Sequence, residues 1–383
     1  MSEYQYYEFT AVDRPLTSRE QAELRSLSTR ADITATSFVN TYQWGAFKGD
    51  PRKLMERYFD AHLYLANWGT RQLMLRLPKH VLDSATIARY CQGDSASART
   101  AGKHVIIDLH DEDEDGSYEW DVDGHGLLPS IIPVRAGLAA GDLRLLYLGW
   151  LRCVQSEDIV DDEPEPPVPA GLGSLDAPLT AVAEFLRIDP DLIAAAAARS
   201  VPAASGEPTP TQLRTWVVGL PVRDKDAILA NLITGGDSHL RSQLLRRYRD
   251  AHRTDTPTPA AARTAEELLA TAADLRAERE RRDAEQRERD RIRRERSAAA
   301  ARQRHLDALA VDQPAAWQRV DVLIATKKPR EYDTAVQLLV DLRDLGVCDG
   351  DVTSFRDRLA ELRAVHARKP SLLERLDLAG LDA

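Results

Sequence analysis

The sequence predicts an α+β fold in which a small α/β domain is followed by an all-helical region. Up to about residue 155, β-prone aromatic segments alternate with short helical segments. From about residue 176 onward, the patterns are helical only. Between Leu275 and Leu306 strong helix formers continue with one large apolar side chain, Ile292. These observations predict a long charged helix and, after it, a small C-terminal helical bundle.

The α/β domain is assigned to residues 1–155. It opens with an aromatic strand at Tyr4–Phe9, and a capping box (Thr17-Ser18-Arg19-Glu20) predicts the first helix. Apolar alternation around Asn67-Trp68-Gly69 predicts a hairpin. The stretch 143–154 is apolar nearly all round, so we expect it to be the buried helix of the domain. Further strands are expected at 33–42, 104–109 and 118–122, and further helices at 51–59 and 83–90.

The remaining boundaries follow from composition. Residues 156–175 are acidic and rich in proline and glycine, which predicts a linker. A helical domain is expected at 176–255, the long charged helix at 260–310 and the bundle at 312–383. In the bundle we expect a core of apolar side chains: Leu338, Leu339, Leu342, Leu345, Phe355, Leu359, Leu362 and Leu372.

The charged stretch, residues 276–305, has no apolar face with which to join a core. Acid-before-base pairs such as Glu285 with Arg289 stabilise an exposed helix by about 0.2–0.5 kcal/mol each. A single charged helix, a coiled-coil dimer and partial disorder remain open. A helix that stays outside the cores predicts an adaptor or scaffold that binds a protein partner, with no enzymatic activity.

Composition and charge limit where the protein is expected to act and what it is expected to bind. The chain has 383 residues and a net charge of −10, which argues against attraction of the whole protein to nucleic acid. No apolar run is long enough to span a membrane, and residues 1–10 lack the pattern of a signal peptide. The 3 cysteines form neither a disulfide framework nor a zinc motif. We therefore expect a cytoplasmic protein with no membrane contact and no cofactor.

The acidic hairpin at 104–125 is the candidate for metal chemistry. Alternating acids followed by Gly116 match the first half of a calcium loop, but Val122 stands where the loop needs a bidentate glutamate. The candidate ligands are Asp111, Asp113, Asp115 and Glu119, with His104, His110 and His125 nearby. A metal-dependent enzyme is therefore one alternative function, and an exposed Asp-Gly turn is the plainer interpretation.

Two basic features indicate a second alternative, a nucleic-acid-associated accessory protein. The aromatic residues between 4 and 68 are interleaved with lysines and arginines, as on sheets that stack single-stranded bases. The helix within 238–253 carries an arginine cluster that is suited to phosphate, consisting of Arg241, Arg246, Arg247, Arg249 and Arg253. Core aromatics and an exposed basic helix face are the plainer interpretations.

Several stretches of the C-terminal half resemble a known family. They are RDKDAILANLITGGDSHLRSQLLRRYR after Leu220-Pro221, YDTAVQLLVDLRDL at 332–345 and HARKPSLLERLDLAGL at 366–381. They resemble the region that follows the finger in bacterial SWIM zinc-finger proteins, a conserved-hypothetical group. The resemblance implies a shared helical scaffold and an association with nucleic-acid or protein binding. The finger itself is missing, because no Cys-x-Cys pair with a later Cys-x-His occurs. No sequence motif marks a catalytic or cofactor-binding residue.

Overall fold

The structure is a computed structural model. It describes residues 3–45, 47–112, 123–202, 208–234, 239–252 and 263–382. The chain divides into two compact units, Met1–Arg279 (unit 1) and Glu280–Ala383 (unit 2). The predicted α+β class is confirmed, because strands occupy the first part of unit 1 and helices the rest of the described chain.

Unit 1 is built on an antiparallel sheet whose described strands follow the order β2-β3-β1-β4-β5-β7-β6. The strands are β1 (Gln5–Thr10), β2 (Asp32–Ile33), β3 (Ser37–Tyr42), β4 (Ala61–Ala66), β5 (Arg71–Pro78), β6 (Ala96–Ala101) and β7 (His104–Asp111). The predicted hairpin is confirmed as β4–β5, and Gly69 takes the positive φ of 98° that its turn requires.

The helices of unit 1 are α1 (Ser18–Leu27), α2 (Pro51–Arg57), α3 (Ser84–Ala88), α4 (Leu127–Ile131), α5 (Pro133–Ala139), α6 (Arg144–Gln155), α7 (Ala177–Phe185), α8 (Pro190–Ala197), α9 (Pro210–Gly219), α10 (Val222–Ile233) and α11 (Leu240–Ala251). Among them, α1 and α2 cover one face of this sheet and α4 to α8 cover the other. The capping box is present at Thr17, whose side chain accepts from the Glu20 amide while Glu20 reaches back to the Thr17 amide.

Strand alternation divides the core into two layers. Phe9 and Met74 point to one face, where they join the core formed with α1 and α2. Leu63 and Leu75 point to the other face and pack with α4 to α8. Helix α6 lies in this second layer, with every residue from Leu145 to Val154 buried, as the apolar pattern predicted.

The segment predicted as a linker, residues 156–175, packs into unit 1. Its residues belong to unit 1, and Leu172 enters the same core as the sheet and α7. Glu165 is buried, and its carboxylate pairs with Arg263 at 2.7 Å. The Glu165 amide donates to the Arg263 carbonyl at 2.7 Å. Proline-rich composition cannot indicate such an attachment, because the partner lies almost a hundred residues away in sequence.

Three elements of unit 1 were not expected. Strand β6 has small side chains and pairs with β7, and α4 and α5 follow the acidic hairpin. The strand expected at 118–122 lies outside the described residues. The strand expected at 33–42 is interrupted, with β2 ending at Ile33 and β3 starting at Ser37.

Helix α12 (Ala265–Val311) contains the predicted charged stretch. Leu268 and Ala272, near its start, are buried in the core of unit 1. From 276 to 305 no residue is buried, and all are exposed except the half-buried Glu278, Asp290 and Arg302. Along these residues the structure is therefore a helix whose side chains face solvent.

Unit 2 also contains α13 (Gln313–Ala325), α14 (Pro329–Asp349), α15 (Val352–Val365) and α16 (Pro370–Leu378). Helix α14 packs against each of the other three. The expected core residues are buried, apart from Leu338, which packs against the core from its edge.

Candidate interaction surface

Helices α9 and α10 are adjacent in the chain and carry a group of exposed apolar side chains. Neither helix contains a buried residue. Six large aliphatic side chains are exposed on the pair: Val217, Val218, Val222, Leu229, Leu232 and Ile233. We call these six the α9–α10 face. Exposed apolar side chains grouped in this way are typical of protein interaction sites.

Helical periodicity aligns part of this face. On α10, Val222, Leu229 and Ile233 follow at i, i+7 and i+11, which places them on one stripe. Leu232 and Ile233 remain 66% and 81% exposed, so most of their apolar surface is available for burial. Fully burying one such side chain contributes about 1.5–3 kcal/mol.

The inner sides of the same helices contact α11 and each other. The ring of Trp216 on α9 meets Tyr248 of α11 edge to face, with centroids 5.6 Å apart. Lys225 Nζ donates to the Val218 carbonyl at 2.8 Å. Asp224 pairs with Arg247 of α11. The apolar residues therefore face outward because polar and aromatic contacts occupy the inner sides.

The arginines predicted as a phosphate site anchor α11 within unit 1. Arg249 Nη1 donates to the Ala140 carbonyl at 2.9 Å, next to the C-terminal end of α5. Arg246 donates to the Val81 carbonyl and lies 3.7 Å from Asp83. Arg247 pairs with Asp224, and Arg241 has an interaction partner too. Arg253 lies outside the described residues. These contacts do not favour a basic surface held ready for phosphate.

A buried ion-pair network fixes the start of α11. Arg135 on α5 binds Asp13 through two hydrogen bonds of 2.8 and 2.6 Å. His239, just before α11, places Nε2 3.2 Å from the same carboxylate. Burial alone would raise the pKa of Asp13, but the hydrogen bonds from His239 and Arg135 hold it well below its ordinary value. This carboxylate therefore links the N-terminal segment, α5 and α11.

The acidic hairpin is not assembled as a metal centre in the part of the chain that the structure describes. Asp111 is buried between Arg152 and Arg187, at 2.6 and 2.5 Å. His104 and His110 stand near opposite ends of β7, and His125 precedes α4. Asp113, Asp115 and Glu119 lie outside the described residues. Among the described residues, no group of three or more histidines, cysteines and acids is arranged to hold a metal.

Several of the N-terminal aromatics are core residues, as in the plainer interpretation, whereas Trp44 is exposed. Tyr7, Phe9, Phe38 and Phe59 are buried beneath α1 and α2. His62 stacks on Phe9 with centroids 3.9 Å apart, and its burial lowers its pKa to about 3. Rings covered in this way are unavailable for stacking with bases.

Sequence reasoning missed the α9–α10 face, although both helices lie within the expected helical domain, residues 176–255. The signal was present in α10, where aliphatic residues occupy more than one side of the helix. Which side is covered depends on α11, and the periodicity of α10 does not contain that information. Within the described chain, no helix has both the length and the apolar character needed to cross a bilayer.

Comparison of the chain with family models, curated proteins and solved structures found no significant match. The resemblance to the SWIM proteins therefore stays a prediction.

Proposed function

We propose that this protein is an adaptor that binds a partner protein through the α9–α10 face. The observation that carries the proposal is the exposure of six large aliphatic side chains on two helices without a buried residue. Binding would cover these side chains and remove apolar surface from water. The adaptor role requires only that the protein bind its partner.

The partner that fits this face is an amphipathic helix with an acidic flank. Helix-in-groove recognition uses apolar anchors along one stripe of a helix. Val222, Leu229 and Ile233 form such a stripe on α10, with the exposed Asp226 between the first two. Arg214 and Arg223 are exposed on the two helices, and neither pairs with another described residue. With Asp224 already bound to Arg247, Arg214 and Arg223 outnumber the exposed Asp226, so the remaining charge around the face is positive. Charge complementarity therefore favours glutamate or aspartate beside the leucines of the partner.

Two synthetic peptides provide the test. Both carry the same leucine stripe on a helix, one with a glutamate polar face and one with a lysine polar face. Fluorescence anisotropy should show saturable binding of the glutamate peptide and weaker binding of the lysine peptide. Replacing Leu232 and Ile233 by serine should weaken the first complex about a hundredfold or more, because two anchors are lost.

The matched control is Leu378→Ser, which changes an equally exposed leucine on α16, in the other unit. It should leave binding unchanged. If neither peptide binds, or if the control weakens binding as much as the double variant does, the adaptor surface lies elsewhere. Sedimentation of the protein alone adds one further outcome. A dimer that dissociates on the double substitution would assign the face to a second copy of this chain.

A further inference from the structure

A cleft of about 430 Å³ opens on the sheet of unit 1, away from the α9–α10 face. Its floor is formed by side chains that share one sheet face, Tyr6 and Glu8 on β1 with Val39 and Thr41 on β3. Arg30 and Asp32 line one side, and His125 lines the other. The volume lies within the range of small-molecule sites, which is about 300–1,000 Å³.

Glu8 is the buried charge of this cleft. Its side chain is nine-tenths buried, and it accepts one hydrogen bond, from the Tyr6 hydroxyl at 2.9 Å. No described lysine, arginine or histidine lies within ion-pairing distance of it. Burial raises the pKa of Glu8, against the smaller lowering by the hydrogen bond from Tyr6 and by the charge of His125. A buried carboxylate without a cation is costly, so a site that keeps one is suited to receiving a positive charge.

The wall beside Glu8 is built closely against the sheet. The ring of His125 lies over Tyr6 with centroids 5.0 Å apart, and its Nδ1 lies 2.6 Å from Asp123 Oδ1. Gly124 allows this approach, because a Cβ there would come within 2.2 Å of Tyr6 Cδ1. The loop 123–126 is thus held on the floor of the cleft.

The remaining charges determine whether the cleft favours a cationic or an anionic ligand. Asp32 and Asp123 add negative potential near Glu8. Arg30 is the one cation among the described lining residues, and its guanidinium lies 5.9 Å from the centre of the Trp44 ring, at the rim. An anionic ligand would be repelled by two or three carboxylates and attracted by one guanidinium. A cationic ligand would be attracted by those carboxylates and repelled by the one guanidinium.

We propose that this cleft binds a small organic cation, with the protonated amine paired to Glu8 and the apolar part against Tyr6, His125 and Val39. The ammonium group supplies the charge-assisted hydrogen bonds that the Glu8 carboxylate lacks. The edges of the aromatic rings and the Val39 side chain supply apolar contact, which suits a ligand with one ring. This inference is independent of the adaptor function, since it concerns different residues.

Three isosteric probes test it by isothermal titration calorimetry: benzylamine, benzyl alcohol and benzoate. Benzylamine should bind at least about tenfold more tightly than benzyl alcohol, which corresponds to one buried charge pair. Benzoate should bind least. Glu8→Gln should abolish the preference for the amine, and Glu184→Gln, which removes an exposed carboxylate on α7, should retain it.

A measurement on the unaltered protein keeps the proposal testable if Glu8→Gln does not fold. Titration with benzylamine should shift the backbone amide NMR signals of Glu8, Val39 and His125. Equal affinity for the three probes, an amine preference that survives Glu8→Gln, or shifts confined to other residues would each overturn the assignment.

Discussion

The arginines of α11 reach to other elements, whereas Arg289, Arg291 and Arg293, in the middle of the charged stretch, pair along their own helix. Arg246 and Arg249 of α11 donate to main-chain carbonyls of Val81 and Ala140. In the charged stretch, Arg291 pairs with Glu288 and Glu295, at 2.6 and 2.7 Å, within one turn on either side. The two segments are similar in arginine content, yet α11 is anchored to other elements, whereas the middle of the charged stretch remains in solvent.

The difference comes from what lies opposite each helix. The carbonyls near a helix C-terminus have no intrahelical donor, and a guanidinium supplies one, as Arg249 does beside α5. In its middle, the charged stretch has acids spaced three and four residues from its bases, so these side chains satisfy each other. At its ends, Arg276, Arg279 and Arg302 pair instead with acids of other elements. Arginine-rich sequence therefore predicts a helix, while its contacts depend on the neighbouring elements.

The largest expected effect concerns the anchoring of α11. Asp13→Ala removes the carboxylate shared by Arg135 and His239 and leaves the Arg135 guanidinium buried with less compensation. We expect the free energy of unfolding of unit 1 to fall by about 3 kcal/mol at pH 7. Urea denaturation followed by tryptophan fluorescence measures this. Asp226→Asn, an exposed acid of α10, should have no comparable effect.

Asp13→Ala should also change the pH dependence of the free energy of unfolding. Because the pKa of Asp13 is depressed in the folded protein, its stabilisation is fully present above the unfolded value of about 3.9. It is lost as the pH falls from there toward the lower folded value. The acid sensitivity of unfolding should therefore be smaller in Asp13→Ala than in the wild type, and an unchanged acid profile would contradict the network.

A smaller effect is expected for a single arginine of α11. Arg246→Ala removes a charged donor from the Val81 carbonyl and the stem that lies against Gly141. We expect a loss of about 1.5 kcal/mol, in the range for hydrogen bonds to charged groups. Arg246→Met keeps most of the stem and should recover part of the loss. If Arg246→Ala and Arg246→Met lower the free energy of unfolding equally, packing of the aliphatic stem contributes nothing to stability.

The smallest effect is expected in the charged stretch. Arg289→Ala removes one exposed pair with Glu285, at 3.4 Å, and alanine is itself a strong helix former. The free energy of unfolding should change by no more than about 0.5 kcal/mol. Circular dichroism should show unchanged helix content. A loss as large as that of Arg246→Ala would mean that this part of α12 is held by a partner, and would remove the contrast with α11.

Much of the secondary structure follows from local sequence. Thr17 and Glu20 start α1 because they satisfy each other's backbone donors, and the apolar run of α6 demands burial on all sides. The helices of unit 2 begin at prolines or after capping acids, for example Pro329 and Asp351. These signals act within a few residues, so the chain carries them without its tertiary neighbours.

Other features depend on residues that are distant in sequence. Strand β6 is weakly β-prone and forms because β7 offers an edge with which to pair. The sequence marks Asp111 as a candidate metal ligand, but in the structure this carboxylate pairs with Arg152 and Arg187. The exposure of the α9–α10 face, and the placement of Glu8 beneath His125, depend on helices and loops that arrive from elsewhere in the chain.

The sequence by itself determined the α+β class, the helices of the C-terminal half and the solvent-facing character of the charged stretch. It could do so because hydrogen bonds within a helix and side-chain periodicity are local properties. Only the tertiary structure decided which charges are paired, which aliphatic residues stay exposed and which carboxylate lines a cleft. Burial and ion pairing arise between segments far apart in the chain, so no local pattern encodes them.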